Sequence, residues 1–348
     1  MPNKNNFNIP LDKFINLSLY DKKIGYYMSK NPFGKEGDFI TAPNISRLFS
    51  EMIAIWILGF WENLGSPKNF NIVELGAGNG AMMKILLESF QKFPNFFNSS
   101  NIIIHEKSPK LIKIQKKELM QKKIVWVSDI KKIKKIPTIF IANEFFDAIA
   151  IKQFVKIDKL WFEKYVNIKN KKKASFFNKK FDMEKFEKKI GYKISKNQKF
   201  IEYSLLGVKY LKKISKIIKK NDGGMLIIDY GYFEKKMKNT LKAISNHKYT
   251  NVLKKFGKSD ITYNINFYLL KKIIHKIGGL KNITTTQGKF LVKMGIKKRA
   301  EIISQNKDFS RKADIYFRIK RLIDEKHMGN IFKVMFIKKQ GNNYKLGF

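Results

Sequence analysis

The chain contains no cysteine in its 348 residues, which excludes disulfide bonds and zinc sites built on thiolates. This absence is compatible with a reducing cytoplasm. The N-terminus also lacks a secretory hydrophobic region and an arginine-rich transit stretch. We therefore expect no targeting segment.

Long hydrophobic runs are missing as well. The most apolar stretch, residues 52–61, is about half of the ~20 residues that a membrane span requires, and Glu51 and Glu62 flank it. We therefore expect no membrane span. The stretch instead predicts a buried helix that begins at an Asn44 cap and ends near Gly65.

Acidic residues and arginine are scarce. The chain has 28 Asp and Glu against 71 Lys and Arg, a formal net charge of +43, and only five of the basic residues are arginine. Such an excess is typical of proteins that bind nucleic acid. Lysine, asparagine, isoleucine and phenylalanine, which share A/T-rich codons, are all abundant, however. The excess thus favours a compositional origin, and we expect no specific nucleic-acid partner.

Three closely spaced glycines mark a candidate ligand-binding loop. Residues 71–83 read NIVELGAGNGAMM. The first five form a short segment with β-branched Ile72 and Val73, which predicts a strand, whereas the apolar residues after the glycines recur at helical spacing. Gly76, Gly78 and Gly80 lie between them, where a ligand can contact bare backbone at a helix N-terminus. The stretch predicts a cofactor loop.

The acid before the loop separates two cofactor classes. Gly76-x-Gly78-x-x-Ala81 also fits the dinucleotide pattern. Glu74, at the end of the strand, would repel a pyrophosphate but suits S-adenosylmethionine, which carries a sulfonium and an ammonium and no phosphate. The sequence therefore predicts an S-adenosylmethionine site that includes Glu74, Gly76, Gly78 and Gly80.

Acidic residues also follow the next two predicted strands. The strand at residues 101–105 ends at Glu106, whose carboxylate is expected to accept hydrogen bonds from ribose hydroxyls. The strand at residues 124–127 is followed by Asp129, a candidate partner for the adenine amino group. Both residues are predicted to bind the cofactor.

A fourth predicted strand, residues 138–142, leads into Asn143, Glu144 and Asp147. Ligands of open α/β sheets collect beyond the carboxyl ends of the strands. Glu144 and Asp147 are therefore predicted to face the reacting centre, and Asn143 to contact the cofactor. A helix N-cap explains Asp147 equally well.

Three further strands, at residues 225–229, 282–286 and 331–337, bring the predicted total to seven. No internal repeat or separable second domain is evident. We therefore expect one doubly wound α/β domain over residues 1–348, and we leave its oligomeric state open. Its subregions would be an N-terminal loop and helix segment at about 1–65 and insertions at about 151–200 and 231–260.

Together these motifs resemble the MidA-like family of class I S-adenosylmethionine-dependent methyltransferases. The resemblance spans nearly the whole chain. Two departures are Asn264 and Asn266, which stand where the family has histidine and aspartate. The motifs that carry the resemblance are GDFITAP at 37–43, ELGAGNG at 74–80, NEFFDA at 143–148, IDYGY at 228–232 and TQGKF at 286–290.

The resemblance implies a Rossmann-like, seven-stranded class I methyltransferase fold. The mitochondrial member of the family is a protein arginine methyltransferase that assists assembly of respiratory complex I. The implied partner is thus a protein substrate, a subunit of a respiratory NADH:quinone oxidoreductase, in the bacterial cytoplasm. Glu144 and Asp147 would be catalytic, because carboxylates can hold the planar guanidinium bidentately. This chemistry requires no metal.

Two alternatives stay open. The positive charge suggests an RNA methyltransferase. A non-catalytic assembly factor that binds S-adenosylmethionine would keep the fold for interaction alone. Intact Glu74, Glu106 and loop glycines argue against a loss of cofactor binding.

Overall fold

The computed structural model describes residues 6–29, 41–120, 123–169, 173–245, 248–254 and 256–348. Residues 37–40 of the GDFITAP motif lie outside the described residues. The strands in chain order are β1 (Asn6–Pro10), β2 (Phe70–Leu75), β3 (Ser100–His105), β4 (Ile124–Val127), β5 (Thr138–Asn143), β6 (Lys152–Ile157), β7 (Leu160–Lys169), β8 (Lys173–Lys180), β9 (Phe200–Tyr203), β10 (Gly223–Tyr232), β11 (Lys242–Ser245), β12 (Lys248–Thr250), β13 (Asp260–Thr262), β14 (Ile265–Asn266), β15 (Leu280–Thr286) and β16 (Phe332–Lys339).

Helices connect most of the central strands and cover both faces of their sheet. A 3₁₀ turn at Ile130–Lys132 follows β4. The α-helices are α1 (Leu11–Tyr20), α2 (Tyr26–Ser29), α3 (Ala42–Ile45), α4 (Arg47–Asn63), α5 (Ala81–Phe90), α6 (Pro94–Ser99), α7 (Pro109–Leu119), α8 (Met183–Ile190), α9 (Leu205–Asn221), α10 (Phe267–Ile277), α11 (Gln287–Lys293), α12 (Ile296–Ser304), α13 (Phe309–Ile323) and α14 (Met328–Ile331).

The central sheet has the strand order β4-β3-β2-β5-β10-β16-β15, and the two-residue strand β14 pairs with β10. Strands β4, β3, β2, β5 and β10 are parallel, whereas β16 is antiparallel to both of its neighbours. The strand order reverses between β2 and β5. All seven predicted strands are present, in the order of a doubly wound α/β sheet.

The parallel strands are apolar because both of their faces are covered. In β5, Ile139 and Ile141 belong to the cluster that packs on α4 and α5, whereas Phe140 and Ala142 belong to the cluster on the opposite face. The alternation follows from the two-residue period of a strand. Two hydrophobic cores therefore hold the sheet, and its carboxyl edge is left for polar residues.

The segment predicted as the first insertion forms most of a second, antiparallel sheet. Strands β6, β7, β8 and β9 belong to it, and β1 adds to β7. Lys152 Nζ, in β6, lies 3.1 Å from Asp12 Oδ1 and 2.5 Å from Glu163 Oε1. This nearly buried ion pair network fixes α1 against the sheet.

The predicted Asn44 cap of the apolar helix is wrong, because α4 begins after Ser46, whose hydroxyl accepts a hydrogen bond from the Leu48 amide. Asn44 lies in the separate short helix α3, where its side-chain amide donates to Thr41 Oγ1 at 2.8 Å. No helix in the described part of the chain has the length and apolar character needed to cross a membrane.

Candidate active site

A cleft of about 370 Å³ opens beyond the carboxyl ends of β2, β3, β5 and β10, at the point where the strand order reverses. Open α/β sheets bind their ligands at this position. The cleft also receives residues from α1, α2 and the small β11–β13 sheet. Its polar and charged lining includes Tyr20, Tyr27, His105, Glu106, Lys107, Glu144, Asp147, Tyr210, Tyr230, Lys242, Tyr249, Asp260 and Thr262.

The glycine loop forms one wall of the cleft through Gly76 and Gly78. Their φ angles are 68° and 55°, and that of Gly80, which caps α5, is 88°. Backbone of this kind favours glycine. A Cβ added at Gly76 would also lie 2.9 Å from Cδ2 of Phe145. The loop therefore depends on glycine for its conformation and for its approach to the loop after β5.

Glu74 lies beneath this loop rather than on the cleft lining, and only 3% of it is exposed. Its Oε2 atom has no hydrogen-bond partner. Burial, and then the charge of Glu106, raise the pKa of Glu74 to about 8. An unpaired buried carboxylate is costly unless a positive group compensates it. The orphaned oxygen thus fits a cationic cofactor such as S-adenosylmethionine.

Glu106 lines the cleft immediately after β3. Its Oε1 accepts hydrogen bonds from the amides of Lys107 and Ser108 at 2.8 and 2.9 Å, and its Oε2 accepts one from Gln115. Burial raises the pKa of this carboxyl despite these bonds. The carboxylate is held rigidly, and its remaining lone pairs are available to ribose hydroxyls.

Asn143 and Asp129 do not line the cleft. Asn143, at the end of β5, donates from Nδ2 to Glu144 Oε1 at 3.4 Å, and its buried Oδ1 has no partner. Asp129 caps the 3₁₀ turn by accepting from the Lys131 amide, and its Oδ1 lies 3.7 Å from Lys213 Nζ. The structure therefore does not bring Asp129 together with Glu74 and Glu106, because its side chain turns to the backbone that follows it.

The two predicted catalytic acids lie on the other side of the cleft. Glu144 has a φ of 50° and accepts a hydrogen bond from the Ala42 amide. Asp147 Oδ2 accepts from Thr262 Oγ1 at 2.8 Å, whereas its buried Oδ1 has no partner. Burial first, and then the charge of Asp147, raise the pKa of Glu144 to about 8. Burial raises the pKa of Asp147 to about 6.

Asp229, three residues before the end of β10, supports the loop that carries Glu144 and Asp147. It is fully buried, and its Oδ2 accepts hydrogen bonds from the amides of Phe146 and Asp147 at 3.0 and 3.3 Å. Asp147 is not a helix N-cap, because β5 is followed by β6 and the described residues 144–151 between them form no helix. Glu144 and Asp147 can therefore contact a ligand, while Asp229 holds the backbone that carries them.

The sequence model of one protein family matches residues 52–286, more than half of the chain. The family is described as "Putative S-adenosyl-L-methionine-dependent methyltransferase". The chain belongs to this family. S-adenosylmethionine is thus its cofactor and methyl transfer its reaction, as the sequence predicts.

Named relatives of this methyltransferase include the mitochondrial "Protein arginine methyltransferase NDUFAF7 homolog" of Drosophila melanogaster, with 27% identity over 94% of this chain and 80% of that protein. The human NDUFAF7 protein is 26% identical over 92% and 79% of the two chains. A crystal structure of a Burkholderia thailandensis protein bound to S-adenosyl-homocysteine has a TM-score of 0.82 at 21% identity, covering 98% of this chain and 90% of that one. The structural likeness shows the fold.

Sequence reasoning missed Gln115, which ties three parts of the methyltransferase's cofactor wall together. Its Nε2 donates to Gly78 O at 2.9 Å and to Glu106 Oε2 at 3.2 Å, and its Oε1 accepts from Trp126 Nε1. The residue is fully buried in α7. Its position in an otherwise ordinary amphipathic helix carries no sequence signal.

His105 also lines the cleft. Its Nδ1 lies 3.1 Å from Val127 O, and its Nε2 lies 3.0 Å from the Tyr210 hydroxyl. Since a carbonyl oxygen can only accept, Nδ1 carries the proton and Nε2 accepts from Tyr210. Burial, aided by the charge of Lys107, lowers the pKa of His105 to about 4. The neutral imidazole therefore fixes Tyr210 against the cleft.

A fourth acid of the lining, Asp260, reaches the cleft from β13, and the Tyr27 hydroxyl donates to its Oδ1 at 2.9 Å. The carbonyl of Tyr27 accepts from Ser108 Oγ, next to Glu106. Tyr27 thus joins the cofactor wall to the acidic wall. No local pattern in the sequence predicts this contact between residues more than 200 positions apart.

The two departures from the family pattern, Asn264 and Asn266, do not line the cleft. Asn266 Oδ1 accepts from the Leu269 amide and caps α10, and its Nδ2 lies 3.3 Å from Glu234 O. The backbone N–H of Asn264 donates to Thr240 Oγ1. Both residues support the segment that leads from β13 into α10.

Proposed function

We propose that this methyltransferase modifies an arginine side chain of a protein. The observation that carries the proposal is the pair of carboxylates, Glu144 and Asp147, on the wall of the cleft opposite Glu106. Both have raised pKa values and both line the cleft. An acidic wall of this kind suits a cationic acceptor.

The two carboxylates can bind and orient a positively charged acceptor. A guanidinium that enters the cleft would favour the ionised forms of both acids, and charge-assisted hydrogen bonds would fix its plane. S-adenosylmethionine supplies the methyl group. The attacking nitrogen would form a bond to the methyl carbon while the bond from that carbon to the sulfonium sulfur breaks, which leaves S-adenosyl-homocysteine. The nitrogen then gives up one proton, for which Asp147 is the base we propose. Alignment of nitrogen and donor is the main task that remains to the protein.

The names of the relatives support the same acceptor. NDUFAF7 proteins of fly and human are named protein arginine methyltransferases, and each is aligned with more than nine tenths of this chain. We further propose a subunit of a respiratory NADH:quinone oxidoreductase as the substrate and the bacterial cytoplasm as the place of the reaction. The proposed substrate and the proposed location both rest on the family resemblance.

The acidic lining argues against the RNA methyltransferase alternative. Asp147, with a pKa of about 6, is mostly ionised at neutral pH and would repel a phosphate backbone at the reacting centre, whatever the charge of the outer surface. The lysine surface is expected to give only weak, non-specific nucleic-acid binding that falls with salt.

The proposal is tested by comparing arginine-methylated peptides, by mass spectrometry, from cells with and without the gene. We expect one or few methylarginine sites to disappear, and the purified protein to restore them in extracts supplied with labelled S-adenosylmethionine. Loss of a methylated nucleotide with an unchanged arginine profile would refute the proposal.

A further inference from the structure

Lys242 is a cation on the acidic side of the cleft. It begins β11, where it lies opposite Thr262 of β13 in the antiparallel ladder. Residues directly opposite each other in such a pair project from the same face of the sheet. Thr262 in turn donates to Asp147. The ladder therefore places Lys242 beside the acid that we assign to the acceptor.

The ammonium group of Lys242 lies against two aromatic rings. Nζ is 5.1 Å from the centroid of the Tyr230 ring and 5.8 Å from that of the Tyr249 ring. All three residues line the cleft, and Tyr249 is 76% exposed. Two ring faces near a common point, next to carboxylates, form a site for a cation.

We propose that Lys242 is a specificity-determining residue of the acceptor site: its ammonium group occupies the aromatic subsite formed by Tyr230 and Tyr249, from which the guanidinium of the substrate must displace it. The inference rests on the proposed function. It adds an aromatic subsite to the acidic pair Glu144 and Asp147. The substrate guanidinium would contact both.

Displacement is physically feasible because the contacts of Lys242 are weak at a partly exposed site. Guanidinium is also the better ligand for such a subsite. It is planar, less strongly hydrated than an ammonium and able to stack on an aromatic face. The lysine would therefore yield to arginine, whereas a substrate lysine would compete on equal terms and gain no advantage.

The test compares Lys242→Met with Lys272→Met. Methionine keeps an unbranched side chain that is one atom shorter and removes the charge. Lys272 is a matched control, because its Nζ lies 5.1 Å from the Tyr268 ring on α10, outside the cleft. The substrate is a peptide with a single arginine, at a pH about two units above the Asp147 pKa of about 6. Binding of methylguanidinium to the complex with S-adenosyl-homocysteine is measured in parallel.

We expect Lys242→Met to lower KM for the peptide, and Kd for methylguanidinium, by about threefold or more, with little change in kcat. A factor of three corresponds to roughly 0.7 kcal/mol, within the range of exposed cation–π contacts. Lys272→Met should change neither constant. Tyr249→Leu should weaken methylguanidinium binding.

Unchanged or weaker guanidinium binding in Lys242→Met would overturn the inference. So would weaker binding of S-adenosylmethionine, since Lys242 would then be a cofactor ligand. If no arginine peptide is methylated by any of these proteins, the proposed function fails, and the methylguanidinium measurement still decides whether Lys242 occupies a cation site.

Discussion

The hydroxyl of Thr262 donates a hydrogen bond of 2.8 Å to Oδ2 of Asp147. It joins the loop after β5 to β13, which lies more than 100 residues further along the chain. Asp229 holds the amide of Asp147 from the other side. The acid is thus positioned before any substrate arrives, which is the arrangement that favours transition-state alignment.

Removing this bond should change the pH dependence of methyl transfer. Burial raises the pKa of Asp147, and the Thr262 hydrogen bond lowers it. Thr262→Val should therefore raise that pKa, so the rise of kcat/KM with pH shifts to higher pH. Thr262→Ser keeps the hydroxyl and should retain the wild-type profile. Identical profiles for the valine variant and the wild type would show that Asp147 ionisation does not limit the reaction.

The glycine loop offers a test with a close control. Gly76→Ala adds a Cβ that would lie 2.9 Å from Phe145, at a φ of 68°. We expect it to weaken S-adenosylmethionine binding at least about tenfold, or ~1.4 kcal/mol. Gly65→Ala carries a similar backbone strain, at a φ of 83°, but meets no atom within 4 Å. Calorimetric titration should find wild-type affinity in this control, and equal losses in both variants would point to strain alone.

The central sheet could be predicted because each of its seven strands has a local signal. Apolar runs such as Ile139 to Ala142 end at polar residues, and parallel strands place those residues at one edge of the sheet. The same rule located Glu106, Glu144 and Asp147 in the cleft.

The residues that reach the cleft from outside the central sheet could not be predicted, because they come from segments that meet only in the folded structure. Asp260, Tyr27 and Lys242 lie on short elements whose pairing depends on long-range packing. Asp129 shows the reverse case. It follows a strand as the rule requires, but the competing hydrogen bond to the Lys131 amide turns its side chain into a cap.

Glu74 should make the stability of the unliganded protein depend on pH. Its pKa is about 8 in the folded protein and about 4.3 in an unfolded chain. Between these values the folded state binds a proton that the unfolded state has lost, so the free energy of unfolding falls as pH rises through this window. Glu74→Gln removes this contribution and should become more stable relative to the wild type by at most about 1.4 kcal/mol per pH unit.

Denaturant unfolding across this pH range measures the difference. Glu325→Gln, at an exposed position, is the control. The same Glu74 variant should bind S-adenosylmethionine more weakly, because the compensating negative charge is lost. A constant stability difference from pH 5 to pH 8 would contradict the raised pKa of the buried Glu74 carboxyl.

The most direct test of the acceptor assignment measures two quantities on Glu144→Gln and Asp147→Asn: the affinity for S-adenosylmethionine and the rate of methyl transfer to the arginine substrate. Each amide removes one charge-assisted hydrogen bond to the guanidinium, which typically contributes about 1.5–3 kcal/mol. We predict nearly unchanged cofactor affinity and transfer slowed by roughly tenfold or more in each variant. Full transfer in both variants, or loss of cofactor binding in both, would contradict the assignment of these acids to the substrate arginine.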